Sequence, residues 1–325
     1  MQPSHPDSVS PRSVPSPSLS RRRLLLGAAL AGAGMHAGHA RAETSPLLPR
    51  ARPASVALVL GGGGCRGYGH IGVIRVLEKF DLKPDLVVGS SAGSLVGALY
   101  AAGVGADKME AYGQHMSPNL LRNWIFPKLG LFGGNRIRRF VVERVGARMI
   151  ESLPVRFAAV ATDLRSGELI VLDNGDLGLA VQASSSAPGF LEPVRIGERL
   201  LVDGNLSAPV PVVAARRLGA RHVLAVDVTF PPQEADLSDP YDALYQGFSI
   251  LTRKLALEER AGADLAIEPK FPQYNEMSAA TLKKLVQAGE RAALEALPKL
   301  RALFARAEDD ARSTAPLRET SPVSR

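Results

Sequence analysis

The sequence predicts an α/β domain built on a parallel sheet. Two closely spaced strand–turn–helix units, over residues 56–80 and 86–102, open the foldable part of the chain, and short apolar runs then alternate with helical patterns as far as residue 305. The composition agrees: of 325 residues, 46% are hydrophobic and 22% charged, ordinary values for a chain that buries a sizeable core.

Residues 1–20 are polar and rich in Ser and Pro. Ser20-Arg21-Arg22-Arg23 then introduces an apolar run that ends at Ala40-Arg41-Ala42. This basic start, apolar stretch and small-x-small ending have the layout of an export signal of the twin-arginine type over 1–42. That layout places the protein in the periplasm, with membrane association also open. Gly27, Gly32, Gly34, His36 and Gly38 interrupt the run, which is marginal against the ~20 residues a spanning helix needs. A basic tail without export function is the alternative.

Residues 43–54 form a Pro-punctuated linker, and the folded domain is expected over 55–306. Val56–Leu60 is an apolar strand stopped by glycines, and Ile71, Ile74 and Leu77 give 68–80 a helical spacing. Leu86–Gly89 is a second strand, followed by a small-residue helix from Leu95 to Ala102. Further strands are expected at 156–162, 168–172, 199–202 and 222–228, and helices at 136–149, 177–184, 209–218, 241–262 and 277–305. The stretch 103–134 shows no clear period and suits a cap over the site. Residues 307–325, polar with Ser and Pro, are expected to be a disordered tail.

The net charge is +7, but Arg12, Arg21, Arg22, Arg23 and Arg41 against Asp7 place +4 of it within residues 1–42. The remainder has no dense Lys/Arg patch interleaved with aromatics, so nucleic acid is not an expected partner. Cys65 is the single cysteine and excludes an intramolecular disulfide. The six histidines show no metal-like pairing, and no metal or other cofactor is expected.

Gly61-Gly62-Gly63-Gly64-Cys65-Arg66-Gly67 lies between a strand and a helix, where bare N–H groups converge on negative charge. The loop suits a phosphate or an oxyanion, and Gly62, Gly64 and Gly67 also match a dinucleotide fingerprint. A dinucleotide site wants an acid at the end of the second strand. Asp85 lies before that strand, and no Walker-type lysine follows the loop, so a nucleotide is not the expected ligand.

The second strand ends instead in Gly89-Ser90-Ser91-Ala92-Gly93, a G-x-S-x-G run in the strand-to-helix context that a nucleophile elbow requires. Small flanking residues permit a sharp turn that exposes the Ser91 hydroxyl, and the helix N-terminus behind it favours developing negative charge. A plain helix cap is the alternative.

A serine hydroxyl needs a proton acceptor. His222 enters a strand at the end opposite an elbow, His115 precedes any convincing acid strand, and His70 opens the first helix, where a local hydrogen bond is expected. Asp203 leaves the end of the apolar run Leu200-Leu201-Val202, with Gly204 allowing close backbone approach. Strand-end placement brings it to the edge that carries Ser91, although Asp-Gly is also a common turn.

Taken together, Gly62-Gly63-Gly64-Cys65-Arg66-Gly67, Gly89-Ser90-Ser91-Ala92-Gly93 and Asp203-Gly204-Asn205 resemble the patatin-like phospholipase family, including its bacterial members. The similarity extends from about Val56 to Val228 and takes in Ala183-Ser184-Ser185-Ser186-Ala187-Pro188-Gly189-Phe190. The resemblance implies a three-layer fold with a mostly parallel central sheet and helices on both faces. It also implies that Ser91 is the nucleophile, that Asp203 is the base, and that the N–H groups around Gly62, Gly63 and Gly64 form the oxyanion hole. Arg66 would brace the loop or face a lipid phosphate. Asn205 departs from the pattern, which usually has Gly or Ala in that place. The implied activity is ester hydrolysis on an acyl lipid or membrane surface without a cofactor, through an acyl-enzyme. The rival readings are a small-substrate esterase or thioesterase, a non-catalytic lipid-binding relative and a nucleotide-binding protein.

Overall fold

The computed structural model describes residues 55–114, 129–232, 237–238, 240–273 and 278–313. The expected export signal, the linker, residues 314–325 and His115 lie outside the described residues.

The strands are β1 (Val56–Leu60), β2 (Leu86–Ser90), β3 (Gly130–Phe132), β4 (Arg156–Asp163), β5 (Leu169–Leu172), β6 (Gly189–Leu191), β7 (Val194–Ile196), β8 (Arg199–Asp203), β9 (His222–Val226) and β10 (Leu265–Ile267). β3 and β6 form a separate ribbon, while the others make one sheet of order β10-β9-β1-β2-β4-β8-β7, with β5 also on β4. From β10 to β4 every pairing is parallel. β5, β7 and β8 pair antiparallel, so the expected parallel sheet is accurate for only part of its width. Strands of three residues at β3, β6, β7 and β10 are too short to show a period in sequence.

The helices are α1 (Tyr68–Lys79), α2 (Ala92–Ala101), α3 (Ala106–Gln114), α4 (Asn135–Val145), α5 (Leu177–Ser184), α6 (Val212–Arg217), α7 (Pro240–Arg260), α8 (Ala279–Glu295) and α9 (Leu297–Ser313). They cover both faces of the sheet. Side chains alternate along β1, so Val56, Leu58 and Leu60 enter a core shared with α1, α2, α8 and α9, whereas Ala57 and Val59 face α6 and α7. Asp176 caps α5 by accepting the Leu179 N–H at 2.7 Å, and Ser278 caps α8 through Thr281.

Besides smaller shifts, such as α4 ending at Val145 rather than 149 and α6 starting at Val212 rather than 209, the C-terminal helical pattern differs from expectation in two ways. The pattern over 277–305 is two helices that meet at Ala296, because Pro298 has no N–H to continue the ladder. The second of them continues to Ser313, past the expected domain end at 306. Leu300, Leu303, Phe304 and Ala307 keep one face of it buried through the start of the supposed tail. Of the uncharted 103–134 stretch, α3 packs beside Tyr68 of α1, and residues 115–128 lie outside the described residues.

Candidate active site

β4 carries three neighbours, and its register determines where they meet. Residues 159–162 pair with β5, overlapping the positions that pair with β2 (156–160) and with β8 (161–163). β5 therefore occupies one edge of β4, while β2 and β8 follow one another along the opposite edge. β2 arrives with Ser90 opposite Val160, and β8 arrives from the other direction with Asp203 opposite Ala161. The two strands end head to head. The expected meeting of Ser91 and Asp203 is found, but it arises from antiparallel approach rather than from parallel strands that share an edge.

Beyond Ser90 the chain turns sharply into α2. Ser91 adopts φ 50° and ψ −120°, a backbone state that costs a non-glycine residue on the order of 1–3 kcal/mol. Its neighbours hold it there. The Ser91 N–H donates to Ser184 Oγ at 3.0 Å, and its carbonyl accepts from Ser94 Oγ at 2.7 Å. The Ser91 hydroxyl donates to Asp203 Oδ2 at 2.7 Å.

Asp203 is buried, and burial pushes its carboxyl up to about 6. The Asn205 N–H, which donates to Oδ1 at 2.9 Å, and the Ser91 hydroxyl pull in the opposite direction. Its own N–H and carbonyl are fixed by Ser186 O and by the Thr162 hydroxyl, each at 2.9 Å. A carboxyl near 6 is ionised at neutral pH yet basic enough to take a proton from serine.

The glycine loop crosses the start of α2. Gly61 and Gly62 donate their N–H groups to Val226 O and Pro209 O, both at 2.9 Å. The Gly62 N–H is thus already used, which corrects its expected place in the oxyanion hole. No described residue engages the N–H groups of Gly63 and Gly64, and Gly64 at φ 52° presents a backbone turn that favours glycine. These two groups are the donors that remain for an oxyanion.

Arg66 also has a different place from a substrate-binding one. It is 3% exposed, donates to Thr229 O at 3.1 Å and lies over the Phe230 ring at 4.4 Å. It braces the loop from within. His70 does the same from the other side: its Nε2 lies 2.7 Å from Gly61 O, and burial lowers the ring to about 4, so the neutral imidazole donates there. His222 sits across from Val56 at the opposite end of the sheet, paired with Asp310 at 2.8 Å. Neither of these histidines touches the Ser91–Asp203 pair.

Sequence reasoning misses the roles of Ser184, Thr162 and the Asn205 side chain. The run Ser184-Ser185-Ser186 at the end of an apolar helix was the available signal, since buried hydroxyls need partners. An apolar cavity lies beside the site, lined by Gly64 and Ala92 together with Ile71, Leu95, Leu99 and Phe140. Among the described residues no acid, histidine or cysteine cluster could hold a metal, and no helix is long and apolar enough to cross a membrane.

A three-layer α/β fold that sets an elbow serine in hydrogen-bond contact with a buried carboxylate defines the class. Residues 58–216 match the patatin-like phospholipase family model. It is 34% identical over 190 residues to an uncharacterized NTE family protein of Mycobacterium tuberculosis, covering 57% of this chain and 52% of the relative. It is also 34% identical over 209 residues to patatin-like phospholipase domain-containing protein 6 of Homo sapiens, covering 62% of this chain and 15% of that one. VipD from Legionella pneumophila shares the fold, with a TM-score of 0.50 and 13% identity over 77% of this chain and 68% of that one. The chain spans about half the length of the mycobacterial relative.

Proposed function

We propose that the protein is a serine lipid acyl hydrolase that cleaves carboxylic ester bonds of phospholipids or related acyl lipids. The observation that carries this reading is the 2.7 Å hydrogen bond from the elbow hydroxyl of Ser91 to the buried carboxylate of Asp203. Asp203 accepts the Ser91 proton as Ser91 attacks the ester carbonyl. The negative oxygen that develops is met by the N–H groups of Gly63 and Gly64 and by the N-terminus of α2. Collapse expels the alcohol, which takes the proton from Asp203 and leaves an acyl-enzyme. Water, deprotonated by Asp203, then releases the fatty acid and restores Ser91. The apolar cavity beside Ala92 supports an acyl chain as the group held, and the match to the patatin-like phospholipase model supports a lipid as its source. Export through the 1–42 segment would place this activity in the periplasm.

The test is hydrolysis of p-nitrophenyl esters of graded length and of phospholipid vesicles by the full chain, by Ser91→Ala and by Leu95→Trp. Ser91→Ala should lose nearly all activity. Leu95→Trp, which fills the cavity, should lose long-chain activity selectively. Activity on short soluble esters alone, unmoved by Leu95→Trp, would make the protein a small-substrate esterase. An inert wild-type chain would return it to lipid binding without catalysis.

A further inference from the structure

We propose that Asn205 is a positioning residue whose carboxamide holds the nucleophile strand, the base turn and the glycine loop at one spacing. This rests on the dyad reading above and deepens it. Three contacts carry the inference. The Asn205 backbone N–H donates to Asp203 Oδ1 at 2.9 Å, its side-chain Oδ1 accepts from Ser90 Oγ at 3.1 Å, and its amide fills the space a side chain on Gly62 would need. A Cβ added at Gly62 would fall 1.9 Å from Oδ1 and 2.5 Å from Nδ2.

One residue thus touches all three motif segments, and each contact adjoins a reacting group: Ser90 precedes the nucleophile, Asp203 is the base and Gly62 precedes the free loop donors. Gly or Ala in this place would reach neither Ser90 nor Gly62. The absence of a side chain at Gly62 is explained by the same contact, because its φ lies outside the left-handed region and the obstruction is the Asn205 amide. Ser90 is fully buried, so its hydroxyl has no water to replace this partner. With the amide removed, the base turn is free to rotate its N–H away from Asp203, which changes the basicity and the aim of the carboxylate together.

The experiment compares wild type with Asn205→Ala, Ser90→Ala, their double variant and Gly62→Ala. The readouts are kcat and KM on a long-chain p-nitrophenyl ester, the pH profile of kcat/KM, and the labelling rate of Ser91 by a fluorophosphonate. Each single variant is expected to lose about 10-fold in kcat and in labelling rate, roughly 1.4 kcal/mol in barrier, with KM within about twofold. The acid limb should move to higher pH in Asn205→Ala. The double variant should be no worse than the weaker single, since one hydrogen bond links both residues. Gly62→Ala should match Asn205→Ala, because its methyl displaces the same amide.

Wild-type kcat, labelling and pH profile in folded Asn205→Ala and Ser90→Ala would overturn the proposal while leaving the dyad intact. Lower thermal stability with unchanged kcat per labelled site would reduce Asn205 to a packing residue. A wild-type chain that is neither labelled nor active would overturn both readings. If Asn205→Ala does not fold, Ser90→Ala, which removes one hydroxyl, carries the same comparison.

Discussion

Asp203→Asn should abolish activity and stabilise the fold at the same time. An aspartate that titrates near 3.9 in the unfolded chain and at about 6 in the fold binds its proton more tightly when folded. Stability therefore falls as pH rises through the window from about 4 to 6, and above it the ionised group costs about 3 kcal/mol. Asparagine keeps an oxygen for the Asn205 N–H and an NH2 group facing Ser91 Oγ, so both native contacts survive without the charge. The expected gain at pH 8 is up to about 3 kcal/mol, and it should shrink towards zero near pH 4.

The comparison must be between variant and wild type at each pH, because His70 works in the opposite sense. Its ring is held to about 4 in the fold, so the stability it supplies is complete above 6.5 and is lost as pH falls towards 4. Both proteins share that term, which cancels in the difference. Urea unfolding at pH 4.5, 6 and 8 gives the numbers. A difference that does not change with pH, or a variant less stable than wild type at pH 8, would refute burial as the origin of the basicity of Asp203. Activity supplies the second half of the test: kcat/KM of wild type should fall about tenfold per pH unit below about 6, and Asp203→Asn should lose about 10²–10⁴.

Other outcomes follow from the same contacts. Ser184→Ala removes the acceptor of the buried Ser91 N–H, so it should cost about 1–3 kcal/mol in urea unfolding and lower kcat as the strained elbow relaxes. Gly63→Ala places a methyl 2.2 Å from the Val228 carbonyl oxygen, a backbone atom that cannot step aside. It should therefore be destabilised by about 1–3 kcal/mol or more, against a milder effect at Gly62, where a side chain is the obstacle. Replacing Arg21 and Arg22 by Lys should hold the protein in the cytoplasm, read by fractionation; unchanged export would remove the twin-arginine reading.

The parts legible in sequence were those with local signals. β1 and β2 were marked by apolar runs stopped by glycine, and the elbow by its strand-to-helix context. Asp203 was legible as a strand-end carboxylate. Its partner geometry was not, because antiparallel pairing of β8 on β4 is a long-range choice that no local pattern encodes. The Gly62 N–H looked free for a similar reason: its acceptor, Pro209 O, lies 147 positions further along the chain. For Arg66 the sequence left loop bracing and phosphate contact both open, because the aromatic shelf of Phe230 and Phe271 that takes it inward to brace the loop comes from distant segments.

The head-to-head ending of β2 and β8 makes β4 a ruler. The gap between hydroxyl and carboxylate is set by two adjacent positions, Val160 and Ala161, on one continuous strand, rather than by the docking of separate bodies. Nothing has to swing shut for the two groups to meet, because their 2.7 Å hydrogen bond is already formed. A single residue inserted between 160 and 161 would draw them apart by about 3.3 Å and disconnect the pair, even if every helix packed as before.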